Sequence, residues 1–236
     1  MMSTIQEDIK DTERYQIQKM LKKPWAPYVI PFFIFIILTA PVAYLPDFAH
    51  LLYTAKTFLV GTLLWLWRND YAPDFANKLT IKGYIIAVIF GIVTLIAWIL
   101  FEAIFPPLGN EAGFNPYSFG CLPTAVPILI AIRLAGAVLV VPVMEELFWR
   151  SFLLRYLINP DFKKVSLGTF SWFSFISVAV LFGLEHHLWI QGIFAGVVYT
   201  LLLVQQKSLR GATIAHATTN LGLGIYVITT QNWIFW

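Results

Sequence analysis

The chain has 236 residues, of which 58% are hydrophobic, 17% aromatic and only 12% charged, with a mean hydropathy of +0.72. Soluble globular domains carry about 25% charged residues, so composition excludes that class. A net charge of +3 split among separate loops excludes a nucleic-acid-binding surface, and a single cysteine, Cys121, excludes an internal disulfide.

Residues 1–24 read as a cytoplasmic segment. They mix Glu7, Asp8, Asp11 and Glu13 with bases and hold no small-residue cleavage signal, unlike a cleaved leader. Ile17, Met20 and Leu21 predict an amphipathic lead-in at the inner surface. Charge-poor runs then predict seven spans, within a range of six to eight, at about 25–45, 51–67, 83–105, 132–157, 171–188, 189–205 and 212–233. Each reaches or approaches the ~20 residues that a helix needs to cross ~30 Å of hydrocarbon. The runs do not alternate, as spanning strands would. The fold class is therefore all-α, a polytopic transmembrane helical bundle, with residues 25–236 forming one transmembrane domain. The stretch from Pro106 to Pro127 is rich in Pro and Gly and predicts an outer loop.

Orientation follows from the bases. Fourteen of the sixteen Lys and Arg residues fall in Lys10 to Lys23, Arg68 to Lys82, Arg150 to Lys164, and Lys207 with Arg210. Cytoplasmic loops gather Lys and Arg, so the N-terminus is expected inside a cell (inner) membrane and the C-terminus outside. Trp25, Trp65, Trp67, Trp189, Trp233 and Trp236 mark span edges, as interface belts do. Lys56 and Arg133 stand apart, and are expected near outer helix ends with their side chains reaching the headgroups.

Three constellations carry chemistry, all within 132–236. The first is Glu145-Glu146-Leu147-Phe148-Trp149-Arg150. Two adjacent carboxylates in mid-membrane cannot both ionise cheaply without a counter-charge. Glu146 and Arg150 are four apart and face each other on a helix. That pairing leaves Glu145 about 100° round the helix, unpaired and suited to general-base work. The alternative is a helix end at the inner interface whose charges merely meet water. The second constellation is Phe182-Gly183-Leu184-Glu185-His186-His187, where Phe182 can wall the His186 imidazole on one helical face. The third is His216-Ala217-Thr218-Thr219-Asn220, with two hydrogen-bond donors four apart, either an oxyanion site or glue between helices. His216 lies only a few residues beyond Arg210, shallower than Glu145 and His186, so tilt or a sunken loop has to close the gap.

In this order the three patterns resemble the CPBP family of intramembrane proteases, which includes the type II CAAX prenyl endopeptidases. Its marks are EExxxR, FxxxH, and a histidine followed four residues on by Asn or Asp. Here they stand as Glu145, Glu146 and Arg150; Phe182 and His186; and His216 and Asn220. The resemblance implies hydrolysis of a peptide bond in or beside the membrane. Glu145, assisted by His186, would activate water, and His216 and Asn220 would hold the oxyanion. Phe182 and Trp149 are candidates for the substrate pocket. Glu145 to Tyr156 and the ending Gln231 to Trp236 resemble, more specifically, bacterial members found with exosortase and PEP-CTERM sorting systems.

No cofactor is expected. The rival is a zinc enzyme with Glu145, His186 and His216 as ligands, although no HExxH helix is present. The expected partners are membrane lipid and a protein or peptide substrate with a membrane-embedded or lipidated tail, and no nucleic acid. Two other functions compete: a non-catalytic protein of this fold, of bacteriocin-immunity or scaffold type, and a transporter with a Glu–His proton relay. A transporter should show repeat symmetry, and no internal repeat is evident.

Overall fold

The computed structural model describes residues 15–16, 18–109, 113–120 and 122–236. The charged residues before Tyr15, Ile17 of the lead-in and Cys121 lie outside the described residues. Met20 and Leu21 lie in a short helical stretch with their side chains exposed.

Seven long helices follow, besides the four-residue helix Arg68–Tyr71 and short 3-10 turns, and no strand occurs among the described residues. They are α1 (Ala26–Thr39), α2 (Ala49–Leu66), α3 (Ile81–Glu102), α4 (Val126–Tyr156), α5 (Trp172–Leu184), α6 (Trp189–Gln206) and α7 (Leu209–Thr230). Four have the length and apolarity to cross a bilayer: α2 extended back to Pro46, α3, α4 and α6. The apolar helices α1 and α5 are shorter, and α7 has the length but, broken by His216, Thr218, Thr219 and Asn220, not the apolarity. The chain is an all-α helical membrane bundle.

Two boundaries differ from expectation. The helix expected at 132–157 begins at Val126, with a proline in its first turn, where the missing N–H costs nothing. Arg133 thus lies inside the helix, its guanidinium 4.3 Å from the Tyr53 ring centroid, 5.3 Å from that of Phe114 and 6.0 Å from that of Trp236. Lys56 is also buried: its ammonium donates to Thr39 Oγ1 (2.6 Å) in the last turn of α1 and sits 4.0 Å from the Phe35 centroid. Ring faces and a helix C-terminus solvate these cations where headgroups were expected. The helix expected at 171–188 stops at Leu184, so His186 and His187 belong to the α5–α6 turn.

α7 is the hub of the bundle, packing on α3, α6 and the middle of α4, while α5 packs on α6 and α1 on α2. Close approach depends on glycine at two crossings. A Cβ on Gly91 of α3 would stand 2.5 Å from Ala215 O of α7, and one on Gly192 of α6 would stand 2.8 Å from the Gly183 Cα of α5. One end of the bundle is tied by Phe114 N donating to Trp236 O (2.8 Å) and Leu108 N to His187 O (2.7 Å). At the basic end the α6–α7 turn is sunken: Ser208 and Leu209 are fully buried beneath the 74–77 segment.

Candidate active site

α4 is not a uniform α-helix. Two π-helical stretches, Gly136–Val140 and Leu147–Leu153, bracket Val141–Glu146. Such π-turns are rare and gather at functional sites. In the first, the Val141 N–H returns to Gly136 O, five residues back. The same register would pair Pro142 with Ala137 O, but proline has no N–H. Asn220 supplies the missing donor: its Nδ2 reaches Ala137 O at 2.8 Å. One of its two amide hydrogens is thereby committed to joining α7 to α4.

The π-turns present Glu145, Glu146 and Arg150 to the bundle interior, where all three are buried. Glu146 Oε1 lies 3.1 Å from Arg150 Nη1, the pair expected from their spacing. The same oxygen accepts a hydrogen bond from His216 Nδ1 at 3.0 Å. His216 Nε2 then faces Glu145 Oε2 at 3.9 Å, beyond hydrogen-bond range. The imidazole thus stands between the two carboxylates, tied to one and open towards the other. With its proton on Nδ1, the neutral ring presents Nε2 as an acceptor. Glu145 Oε2 has no hydrogen-bond partner among the described residues, and neither has Glu146 Oε2.

Phe182 joins the three constellations. Its fully buried ring has the Arg150 guanidinium 4.1 Å from its centroid, and ring centroids of His186 at 4.9 Å, Trp149 at 5.9 Å and His216 at 6.1 Å. The His186 Nδ1 donates to Phe182 O (2.7 Å), which turns the ring back on its own helix end. Its edge meets Trp98 of α3 at 5.5 Å. His186 thus reaches the carboxylates through Phe182, whereas His216 meets them directly. The gap expected between His216 and the carboxylates is closed in the fold, where His216 Nδ1 meets Glu146 Oε1 at 3.0 Å.

Sequence reasoning missed several members of this shell. Tyr199 of α6 stacks on His216 (5.0 Å, 22°) and donates to Thr219 Oγ1 (2.8 Å), which reaches Gly91 O (2.8 Å). Nothing in its local sequence marks Tyr199. Glu185 accepts from Trp149 Nε1 (3.0 Å), so Trp149, one turn beyond Glu145, clamps the α5–α6 turn. Its signal was its place beside His186. Among the described residues no three His, Cys, Asp or Glu side chains converge closely enough to hold a metal ion.

Residues 125–222 match the family model described as type II CAAX prenyl endopeptidase Rce1-like. That interval contains all three constellations, from Glu145 to Asn220. No curated protein and no solved structure matches the chain.

Proposed function

We propose that this chain, whose residues 125–222 match the Rce1-like type II CAAX prenyl endopeptidase family model, is an intramembrane endopeptidase in which Glu145 activates the attacking water. The family assigns a multi-pass membrane protein of protease type; the catalytic roles are our reading. The observation that carries it is a buried carboxylate oxygen, Glu145 Oε2, with no hydrogen-bond partner among the described residues and an imidazole nitrogen 3.9 Å away. Glu145 Oε2 can take a proton from a water bound there, and His216 Nε2 stands on the other side of it, where a developing oxyanion can be met.

The chemistry runs as follows. Water adds to the scissile carbonyl carbon and gives a proton to Glu145, with His186 assisting across the Phe182 pocket. The oxyanion is held by the second amide hydrogen of Asn220 and by His216, which donates from Nε2 when both its nitrogens carry protons. Glu146 stabilises that imidazolium, and Arg150 balances Glu146. Collapse of the tetrahedral intermediate breaks the C–N bond, and the proton on Glu145 passes to the leaving amine. No metal or other cofactor takes part. Phe182 and Trp149 wall the apolar side of the substrate. The substrate is a protein or peptide whose lipidated or membrane-embedded tail brings it into the bilayer. Sorting signals of the exosortase and PEP-CTERM type are candidates on the subgroup resemblance alone. The basic stretches support a cytoplasmic N-terminus in the inner membrane.

The test uses full-length protein in liposomes and a quenched fluorescent peptide ending in a prenylated CAAX sequence. Wild type should cleave it, and Glu145→Gln should lose roughly 10²–10⁴-fold in rate while co-purifying with uncleaved substrate from its host membrane. Equal cleavage by both proteins would overturn the assignment of Glu145. Failure of wild type to cleave, with a different polypeptide trapped on Glu145→Gln, would redirect the substrate class.

A further inference from the structure

The fold ties α4 to α7 at both ends of their contact. Within the candidate site the ties are the His216–Glu146 and Asn220–Ala137 hydrogen bonds. A further tie lies at the basic end and is built on Asp74, which no motif marks. Asp74 is 4% exposed, and its carboxylate is shared between two helices. Oδ1 pairs with Arg155 Nη2 of α4 at 3.0 Å, and Oδ2 accepts from Tyr28 of α1 at 2.7 Å. Arg155 is held in its turn. It donates to Ser151 Oγ (2.6 Å), to Ser151 O and to Val165 O (3.3 Å), over the face of Phe162. Tyr71 completes the knot, donating to Pro27 O (2.6 Å) through a hydroxyl whose pKa burial pushes well up.

From this anchor the backbone grips the start of α7. Asp74 O accepts from Leu209 N (3.4 Å), Phe75 O from Arg210 Nε (2.6 Å) and Asn77 O from Ser208 Oγ (2.7 Å). The segment is thus bolted to α4 by its side chain and to α7 by its main chain. A depth argument shows what that achieves. Glu145 lies eleven residues before the end of α4 at Tyr156, but His216 only seven after the start of α7 at Leu209. At about 1.5 Å per α-helical residue, and less through the π-helical Leu147–Leu153, level helix ends would leave His216 short of Glu145. The grip of the 74–77 segment on Ser208, Leu209 and Arg210 holds α7 in the place where His216 meets Glu146.

We infer that Asp74 and Arg155 are positioning residues for the candidate site: their ion pair fixes the depth of α7 against α4, and with it the approach of His216 to Glu145 and Glu146. The inference rests on the proposed hydrolytic reading of that site. A buried ion pair is a poor source of net stability compared with apolar packing of the same volume. Its forked, multi-partner geometry is better suited to defining a position.

The experiment compares wild type, Asp74→Asn and Tyr28→Phe as full-length proteins in liposomes, each assayed well below its unfolding midpoint. Tyr28→Phe removes one bond to Asp74 but leaves the tie between α4 and α7. Asp74→Asn should lower kcat on the order of 10²-fold, the penalty for misplacing reacting groups by about 1 Å, with KM within about twofold. Tyr28→Phe should keep kcat. A readout independent of turnover is the ¹⁵N resonance of His216 Nδ1, assigned with His216→Gln. It should shift in Asp74→Asn and hold in Tyr28→Phe. If Asp74→Asn does not fold, Arg155→Lys, which keeps the charge but loses the fork, should show the same pattern with a smaller loss. A folded Asp74→Asn with wild-type kcat and an unshifted His216 signal would overturn the inference, as would an equal loss of kcat in Tyr28→Phe. Absence of cleavage by wild type, with no polypeptide trapped on Glu145→Gln, would instead refute the hydrolytic reading, and the ¹⁵N comparison would still decide the positioning role.

Discussion

Glu145 and Glu146 are neighbours in sequence with opposite partners, so one amide substitution should have opposite consequences at the two positions. Glu146 Oε1 is the carboxylate oxygen in ion-pair range of Arg150, at 3.1 Å, and it also holds His216 Nδ1 at 3.0 Å. Arg150 is fully buried, with the Phe182 centroid 4.1 Å from its guanidinium and that of Tyr199 5.5 Å away. In Glu146→Gln those ring faces remain but the counter-charge is gone. Removing one partner of a buried pair costs about 3–5 kcal/mol, because the other is left charged and unpaired. At roughly 2–4 °C per kcal/mol for a chain of 150–250 residues, the unfolding midpoint should fall by about 6–20 °C.

Glu145→Gln removes a carboxylate whose Oε2 has no hydrogen-bond partner among the described residues. It strands no cation and relieves a buried charge, whose burial is itself unfavourable. Its midpoint should equal or exceed that of wild type while peptide cleavage is lost. Thermal unfolding in one detergent, followed by intrinsic fluorescence of the nine tryptophans, measures both variants. A Glu145→Gln protein that melts as far below wild type as Glu146→Gln would refute the division of labour between the two carboxylates.

Cleavage by the purified chain should survive chelation, and the protein should hold no stoichiometric zinc. One zinc per chain, lost with activity and restored on re-addition, would establish the metal-dependent alternative. In Gly183→Val the new Cβ would stand 2.7 Å from Trp189 O and 2.8 Å from Ile193 N. Overpacking of that kind costs about 1–3 kcal/mol, so a midpoint equal to wild type would show that the α5–α6 contact is looser than described. Reporter fusions after Lys164 and after Trp236 should report opposite compartments, the first cytoplasmic. The same compartment for both would mean that one of α5, α6 and α7 does not cross.

What could be read in the sequence was the cost of each residue; what could not was its partner. Glu146 with Arg150, Phe182 with His186 and His216 with Asn220 are each four apart, so helical geometry alone places each pair on one face. In the fold the ring of Phe182 gathers Arg150, His186 and His216 from the three pairs. The knot at the basic end followed no such rule. Asp74 and Arg155 are 81 residues apart, and both sit in stretches that read as cytoplasmic loop or helix end. Their charges looked solvated, and only tertiary structure buries them.

The two misjudged boundaries have one physical cause. Arg133 in the sequence points to the membrane edge because water and headgroups are the usual solvents of a guanidinium. Here Tyr53, Phe114 and Trp236 play that part, so the helix runs through. Glu185, His186 and His187 were read as the tail of a helix, yet Trp149 Nε1 and Phe182 O satisfy the first two from the side and the backbone turns early. A polar group in a membrane protein reports the nearest available partner rather than the nearest water. The same reasoning explains the π-turn of α4, where Pro142 frees the Ala137 carbonyl and Asn220, 83 residues away, takes it. Helix ends and π-turns in this bundle follow from where such groups find partners on neighbouring elements, and at the π-turn of α4 that partner is on α7. That is why the catalytic reading depends on the placement of α7 more than on any single motif.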